Sequence, residues 1–238
     1  MESETKAATA RMRLIFSKEG ATRYISHLDL ARALERALNR AALPVAYTQG
    51  FNRRPRLSLA AALPLGYTGA AEVADVWLVE PVAPATFMAQ LAAKMPPGIG
   101  LRAVHETPLI GPSLQQQMAE SVYEVAFSEA VDGPALRDAV AAMLAAPTLL
   151  REKKRTKDGR PQQFDLRPLI LALDVIEGAG PLLRLRLVHT ATQTGRPDDV
   201  LDALGLDPLA ARVHRVGLRF TAVSYTHLST KSWKKWVP

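Results

Sequence analysis

The chain has 238 residues, no cysteine, 17 prolines and 14 glycines, and its 30 basic residues against 23 acidic ones give a formal charge of +7. Without thiolates it has no disulfide framework, no cysteine nucleophile, no cysteine-ligated zinc and no iron–sulfur cluster held by its own residues. Hydrophobic residues make up 48% and charged residues 22%, the balance of a folded chain and not of a disordered one.

The first strand is expected at residues 12–16, followed by a seven-residue loop containing Gly20. Ser26-His27-Leu28-Asp29 has the spacing of a capping box, with Asp where Glu is usual, and predicts a helix start. Leu30, Leu34, Ala37, Leu38 and Ala41 recur at helical spacing as its buried stripe, and Pro44 lies just past its end. A short strand at 45–47, an Arg-rich loop at 49–55 and strands at 56–63 and 72–79 follow, the last two joined across Pro64, Gly66 and Gly69. A second helix is predicted at 84–94 and a strand at 99–104.

The stretch with Pro108, Gly111, Pro112 and three glutamines reads as a boundary. Beyond it the element order repeats: a strand at 121–127, a helix at 133–145 entered through Pro134, strands at 169–176 and 182–189, a helix at 197–204 and a closing strand at 212–221. Asp198 and Asp199 fall in the first turn of that last helix, where the dipole favours anions. The expected fold is therefore α+β: two tandem ferredoxin-like (βαββαβ) halves with antiparallel sheets, at 11–107 and 119–222. A basic hairpin arm is inserted at 149–165, with Asp158-Gly159 at its turn.

Residues 223–238 hold three of the nine lysines and two of the three tryptophans. SYTHL at 224–228 resembles translated adapter read-through, so this tail is expected to be non-native. The rival reading is nucleic-acid binding through Trp233-Lys234-Lys235-Trp236.

The charge is segregated. Residues 11–60 carry a balance of +7, residues 61–150 carry −6 and residues 151–167 carry +4. Such blocks suggest a basic face for a polyanion. Arg32, Arg36 and Arg40 line the helix face opposite the leucine stripe at i, i+4, i+8. Alone, such a row is usually a solvated face, and its like charges cost a few tenths of a kcal/mol per pair, roughly. The adjacent loop changes the weighing. Gln49, Phe51, Asn52, Arg53, Arg54 and Arg56 combine guanidinium, amide and aromatic groups, the set that phosphate and base contacts require. Arg23 and Tyr24 join this group, as do Lys153, Lys154 and Arg155 of the arm, which as a charge run is ordinarily a solvated hairpin.

His27 lies in the basic block and is the candidate general acid or base for RNA cleavage. A lone histidine at a helix start is more often a structural hydrogen-bonding residue. His105, His189 and His214 have no carboxylate at metal-ligand spacing, so neither metal nor cofactor is expected. No P-loop, GxGxxG, GxSxG or HExxH pattern occurs. No apolar run approaches the roughly 18 residues of a membrane span, and the polar N-terminus is no secretory signal, so a cytoplasmic location is expected.

RYISHLDLARALERAL from Arg23, LPVAYTQGFNRRPRLSLAAALPLG from Leu43, REKKRTKDGRPQQFDLRPLI from Arg151 and GRPDDVLDALGLDPLAARVHRVGL from Gly195 are distinctive strings. Together, in order over residues 13–221, they resemble the bacterial radical SAM-associated (radical SAM-linked) protein family, a domain of unknown function. One departure is Arg53, where that family typically has Pro after the Asn of GFN. The resemblance implies a place beside a radical SAM enzyme and in RNA or ribosome metabolism, with rRNA or tRNA as the RNA partner. The absent cysteines then imply that any cluster belongs to another chain. The lead expectation is a non-catalytic RNA-binding or substrate-presenting partner. The alternatives are a metal-independent RNA endonuclease using His27 and a protein-interaction adaptor without nucleic acid.

Overall fold

The computed structural model describes residues 6–152, 162–178 and 180–221. The chain divides after Gln117 into two compact units, and the fold is mixed α+β with antiparallel strand pairing in both.

The first unit runs β1 (Ala10–Lys18), α1 (His27–Arg40), β2 (Leu57–Leu59), β3 (Thr68–Leu78), α2 (Pro84–Ala92) and β4 (Ile99–Thr107), then the single turn α3 (Leu114–Gln117). β1 pairs antiparallel with β3 and β4, and β3 with β2, giving the order β4-β1-β3-β2. The period-2 alternation of β1 sends Met12, Leu14 and Phe16 to one face, where they join Ala74, Val76 and Leu78 of β3. Leu30, Leu34 and Leu38 of α1 and Phe87 and Leu91 of α2 complete that core. α1 starts as expected: Ser26 Oγ accepts from Asp29 N at 3.1 Å and its hydroxyl donates to Asp29 Oδ2 at 2.7 Å. The Asp29 carboxyl is held below its usual range by that Ser26 bond and, against desolvation, by Arg32.

Three expectations change here. The loop after β1 contains a 3-10 turn at Gly20–Tyr24. The strand expected at 45–47 reduces to isolated bridges, Val45 to Leu78 and Tyr47 to Pro55. Pro44 brings no N–H to this edge, and Arg56 donates to Ala46 O and accepts from Trp77 N, completing the pairing there. The strand expected at 56–63 shortens to β2, because the chain leaves the edge after Ala60 and turns through Pro64 and Gly66 (φ +85°), whose N–H donates to Arg23 O.

The second unit runs β5 (Met118–Phe127), α4 (Gly133–Ala145), β6 (Leu150–Glu152), β7 (Gln163–Asp165), β8 (Ile170–Ile176), β9 (Leu182–Val188), α5 (Pro197–Ala203) and β10 (Ala211–Phe220). β5 pairs antiparallel with β10 and β9, and β9 with β8, giving β10-β5-β9-β8. Val125, Leu183, Leu185 and Leu187 are fully buried, as are Val200 and Leu201 of α5. α4 spans the predicted residues, capped by Asp132, whose carboxylate accepts from Ala135 N. β6 and β7 form the base of the expected arm, Arg151 opposite Phe164. Asp165 Oδ1 anchors that base by accepting from Leu149 N at 2.8 Å and Arg167 N at 3.0 Å. Arg167 also donates to Leu144 O and Ile170 O, so it satisfies a carbonyl at the end of α4.

Candidate nucleic-acid interface

The expected site residues divide into three groups. Arg32, Arg36, Arg40, Gln49, Phe51, Asn52, Arg53, Arg54 and Arg56 are exposed, as is Tyr24, whereas Arg23 and His27 are half-buried. Lys153, Lys154 and Arg155 lie outside the described residues, as does the tail expected to be non-native.

Within the exposed set, several guanidiniums already have work in the fold. Arg40 leaves the helix ridge and donates to Lys94 O at 2.7 Å, just beyond the end of α2. Arg32 meets Asp29 at 3.3 Å, an exposed pair that water screens. The Arg56 guanidinium sits 4.5 Å from the centre of the Trp77 ring, and Arg23 sits 5.1 Å from that of Tyr24. At these distances a cation is attracted to the ring face. Arg36 stays exposed on the outer face of α1.

The loop is braced. Thr48 N donates to Arg54 O at 2.8 Å, and Arg54 N returns a bond to Thr48 Oγ1 at 3.2 Å, closing the segment across its mouth. Gly50 at its tip has φ +119°, a conformation open to glycine and strained for other residues. Tyr47 donates its hydroxyl to Asn39 Oδ1 at 2.8 Å, tying the loop to the last turn of α1. Pro55 is buried at the foot. The loop therefore presents Phe51, Asn52, Arg53 and Arg54 from a fixed base, beside the helix that carries Arg36. Phe51 is fully exposed, although burying such a ring is worth about 1.5–3 kcal/mol.

His27 is the first residue of α1, and its Nδ1 is shielded from solvent.

One cluster was not among the expected functional residues. Arg11 and Arg13 of β1 converge on Asp75 of β3: Arg13 Nε lies 2.8 Å from Asp75 Oδ1, and Arg11 Nε 2.9 Å from Oδ2. All three are buried, at 4%, 4% and 0% exposure. The Arg11 guanidinium also lies 4.9 Å from the centre of the Trp77 ring. The signal available in the sequence was the pair of arginines at i, i+2 within an apolar strand, which puts both on one face. Among the described residues, no three His, Asp or Glu side chains gather as a metal-ligand set.

Residues 11–197 match a family described as an uncharacterized protein conserved in bacteria (DUF2344). The chain belongs to this family. No curated protein matches it. Among solved structures it is similar to a chain in the crystal structure of a Cbf5-Nop10-Gar1 complex, at 13% identity and TM-score 0.45 over 89% of this chain and 48% of that one. It is similar to a chain of the archaeal box H/ACA sRNP Nop10-Cbf5 complex at 14% identity and TM-score 0.39, over 87% and 46%. A protein of Galdieria sulphuraria gives 11% identity and TM-score 0.26, over 89% and 98%. The family member spans about half the length of the first two solved chains. At these scores none of the three likenesses bears on function.

Proposed function

We propose that this family member is a non-catalytic RNA-binding subunit that presents RNA to a radical SAM enzyme supplied by another chain. The observation that carries the RNA half is the braced loop beside α1, where Arg53, Arg54, Gln49, Asn52 and Phe51 stand exposed on a base fixed by Thr48 and Tyr47. Guanidiniums serve the phosphates, the amides serve base edges and the ring offers a stacking surface. Arg36 extends this set along the helix, and Lys153, Lys154 and Arg155 add RNA-binding charge on the evidence of the sequence alone. Arg23, Arg40 and Arg56 belong to the framework around the site, since each is held against a ring or a backbone carbonyl.

The radical SAM half rests on the string resemblance and on the missing thiolates, which leave the cluster to a partner. The setting is cytoplasmic RNA metabolism, with rRNA or tRNA as the ligand. The described units are read as ferredoxin-like halves at 11–107 and 119–222. The βαββαβ order and the strand orders β4-β1-β3-β2 and β10-β5-β9-β8 support that reading.

The test is RNA affinity against salt. Binding should fall steeply as salt rises, with a slope of about −0.7 per phosphate contact on single strands. Arg53→Ala with Arg54→Ala should weaken it and flatten the slope. A flat salt response, or unchanged affinity in the double variant, overturns the proposal. Co-purification with a cluster-bearing protein that survives nuclease treatment, with no RNA retained, favours an adaptor instead.

A further inference from the structure

Phe51 differs from the other exposed aromatic rings. Tyr24 is 69% exposed and Tyr47 is 40% exposed with its hydroxyl bonded to Asn39, whereas Phe51 has no cover at all. It follows Gly50 on a segment whose mouth is closed by two bonds between Thr48 and Arg54. A ring on a braced stalk projects into water with its face open. Exposed amides (Gln49, Asn52) and guanidiniums (Arg53, Arg54) lie within three residues on either side.

The form of the RNA follows from which bases have a free face. In an A-form duplex the bases are stacked on one another and the major groove is too deep and narrow for side chains, so an aromatic on a stalk has nothing to stack against. An unpaired base in a loop, bulge or single strand offers its π-face, and stacking on it tolerates any base identity. Flanking amides can then reach the exposed base edge, and flanking guanidiniums the adjacent phosphates.

We propose that Phe51 is a stacking platform for an unpaired RNA base, so that the loop selects single-stranded or looped RNA over duplex. This rests on the RNA-binding function proposed above. The platform needs no metal and no bond breaking. It positions a nucleotide away from its neighbours, the arrangement a partner enzyme requires to reach an atom of the base.

The experiment measures binding of a short mixed-sequence oligoribonucleotide and of the same strand annealed into a blunt duplex. The wild-type chain should favour the single strand by about tenfold or more, and Phe51→Ala should lose about tenfold on the single strand and little on the duplex. Phe51→Trp should keep the preference, and its added indole emission should be quenched by the single strand. Arg53→Ala with Arg54→Ala should weaken both RNAs alike. Binding of neither RNA refutes the RNA-binding function and this inference with it. Equal binding of both RNAs, with Phe51→Ala unchanged or weakened on both to the same degree, overturns the stacking platform and leaves RNA binding standing. Loss of a protein contact in Phe51→Ala, with RNA affinity intact, assigns the ring to a protein surface and also overturns it.

Discussion

In the first unit, Arg11 and Arg13 lie buried on β1 and share one carboxylate, Asp75 of β3. In the second, Arg184 and Arg186 of β9 face Glu124 and Glu120 of β5 across the ladder, at 2.6 and 2.9 Å, with those side chains 23–50% exposed. Both units thus lace neighbouring strands together with Arg–carboxylate pairs, and the chemistry is the same. The surroundings differ. Water screens the second set and holds its net worth low, whereas the first set has given up its hydration and depends on its partners. Two guanidiniums on one carboxylate also leave the three side chains with a formal +1, and the face of Trp77 lies against one of those guanidiniums. The lesson is that a list of ion pairs does not rank their importance until burial is known.

The comparison breaks first at Asp75. Asp75→Ala removes the carboxylate that two buried guanidiniums share, and by the behaviour of buried pairs that lose one member it should cost about 3–5 kcal/mol. A denaturation midpoint that barely moves would show that Arg11 and Arg13 find water or other partners, and the contrast between the units would collapse.

The next contrast concerns RNA. Arg53→Ala with Arg54→Ala should lower affinity about tenfold or more and reduce the salt slope by about 1–2. Arg184→Ala with Arg186→Ala removes the same formal charge from guanidiniums already engaged by Glu124 and Glu120. It should leave affinity nearly unchanged. Equal losses in the two double variants would mean that overall positive charge, and not the loop, governs binding.

Legibility of the fold followed the local signals. The capping Ser26 and the 3.6-residue stripe were sufficient to place α1, and Pro134 placed α4, whose Asp132 cap went unread. Even there Ala33, three residues after Leu30 and buried with the stripe, went unmarked. α3 was missed because Pro112 and three glutamines read as a linker, yet Leu114 is buried and Gln115 Nε2 donates to Leu59 O at 2.6 Å. The candidate site was legible as a composition, a block of arginines beside an amide-rich loop. Its internal division was not. Whether Arg40 points to solvent or to Lys94 O, and whether Arg56 lies over Trp77, depends on residues 54 and 21 positions away. The Asp75 cluster went unread for a related reason: its partners are 62 and 64 residues apart in the chain, so two arginines at i, i+2 do not by themselves show which carboxylate they meet.

The second unit has its own buried polar feature. Ser121 Oγ lies 2.6 Å from His189 Nδ1, with Ser121 wholly buried. Burial, and then the charge of Arg215, push His189 down to about 4 from 6.5. The folded state therefore keeps the ring neutral where the unfolded chain protonates it. Stability from this group is present above pH 6.5 and is lost as pH falls towards about 4, with a proton taken up on unfolding within that window. His189→Asn should flatten the pH dependence of the unfolding midpoint between those limits. The first unit supplies the reference, because Asp29, held below its usual range at an exposed helix start, titrates under more acid conditions. An unchanged slope in His189→Asn would assign the acid sensitivity to carboxylates instead.

The smallest expected effect sharpens the comparison most directly. Glu124→Ala frees Arg184 on a side of β5 and β9 where the guanidinium is half exposed, so water replaces the carboxylate at once. The loss should be about 0–1 kcal/mol, within the range of exposed pairs. Arg186 and Glu120 still cross the same two strands, which reduces the loss further. If Glu124→Ala instead cost as much as Asp75→Ala, the Arg–Glu row would have to act as one desolvated network, with Arg219, 4.0 Å from Glu120, as its third cation. A double-mutant cycle on Glu124 and Arg184 separates the two: a coupling well under 1 kcal/mol, roughly, marks a solvated pair, and a larger one marks a network.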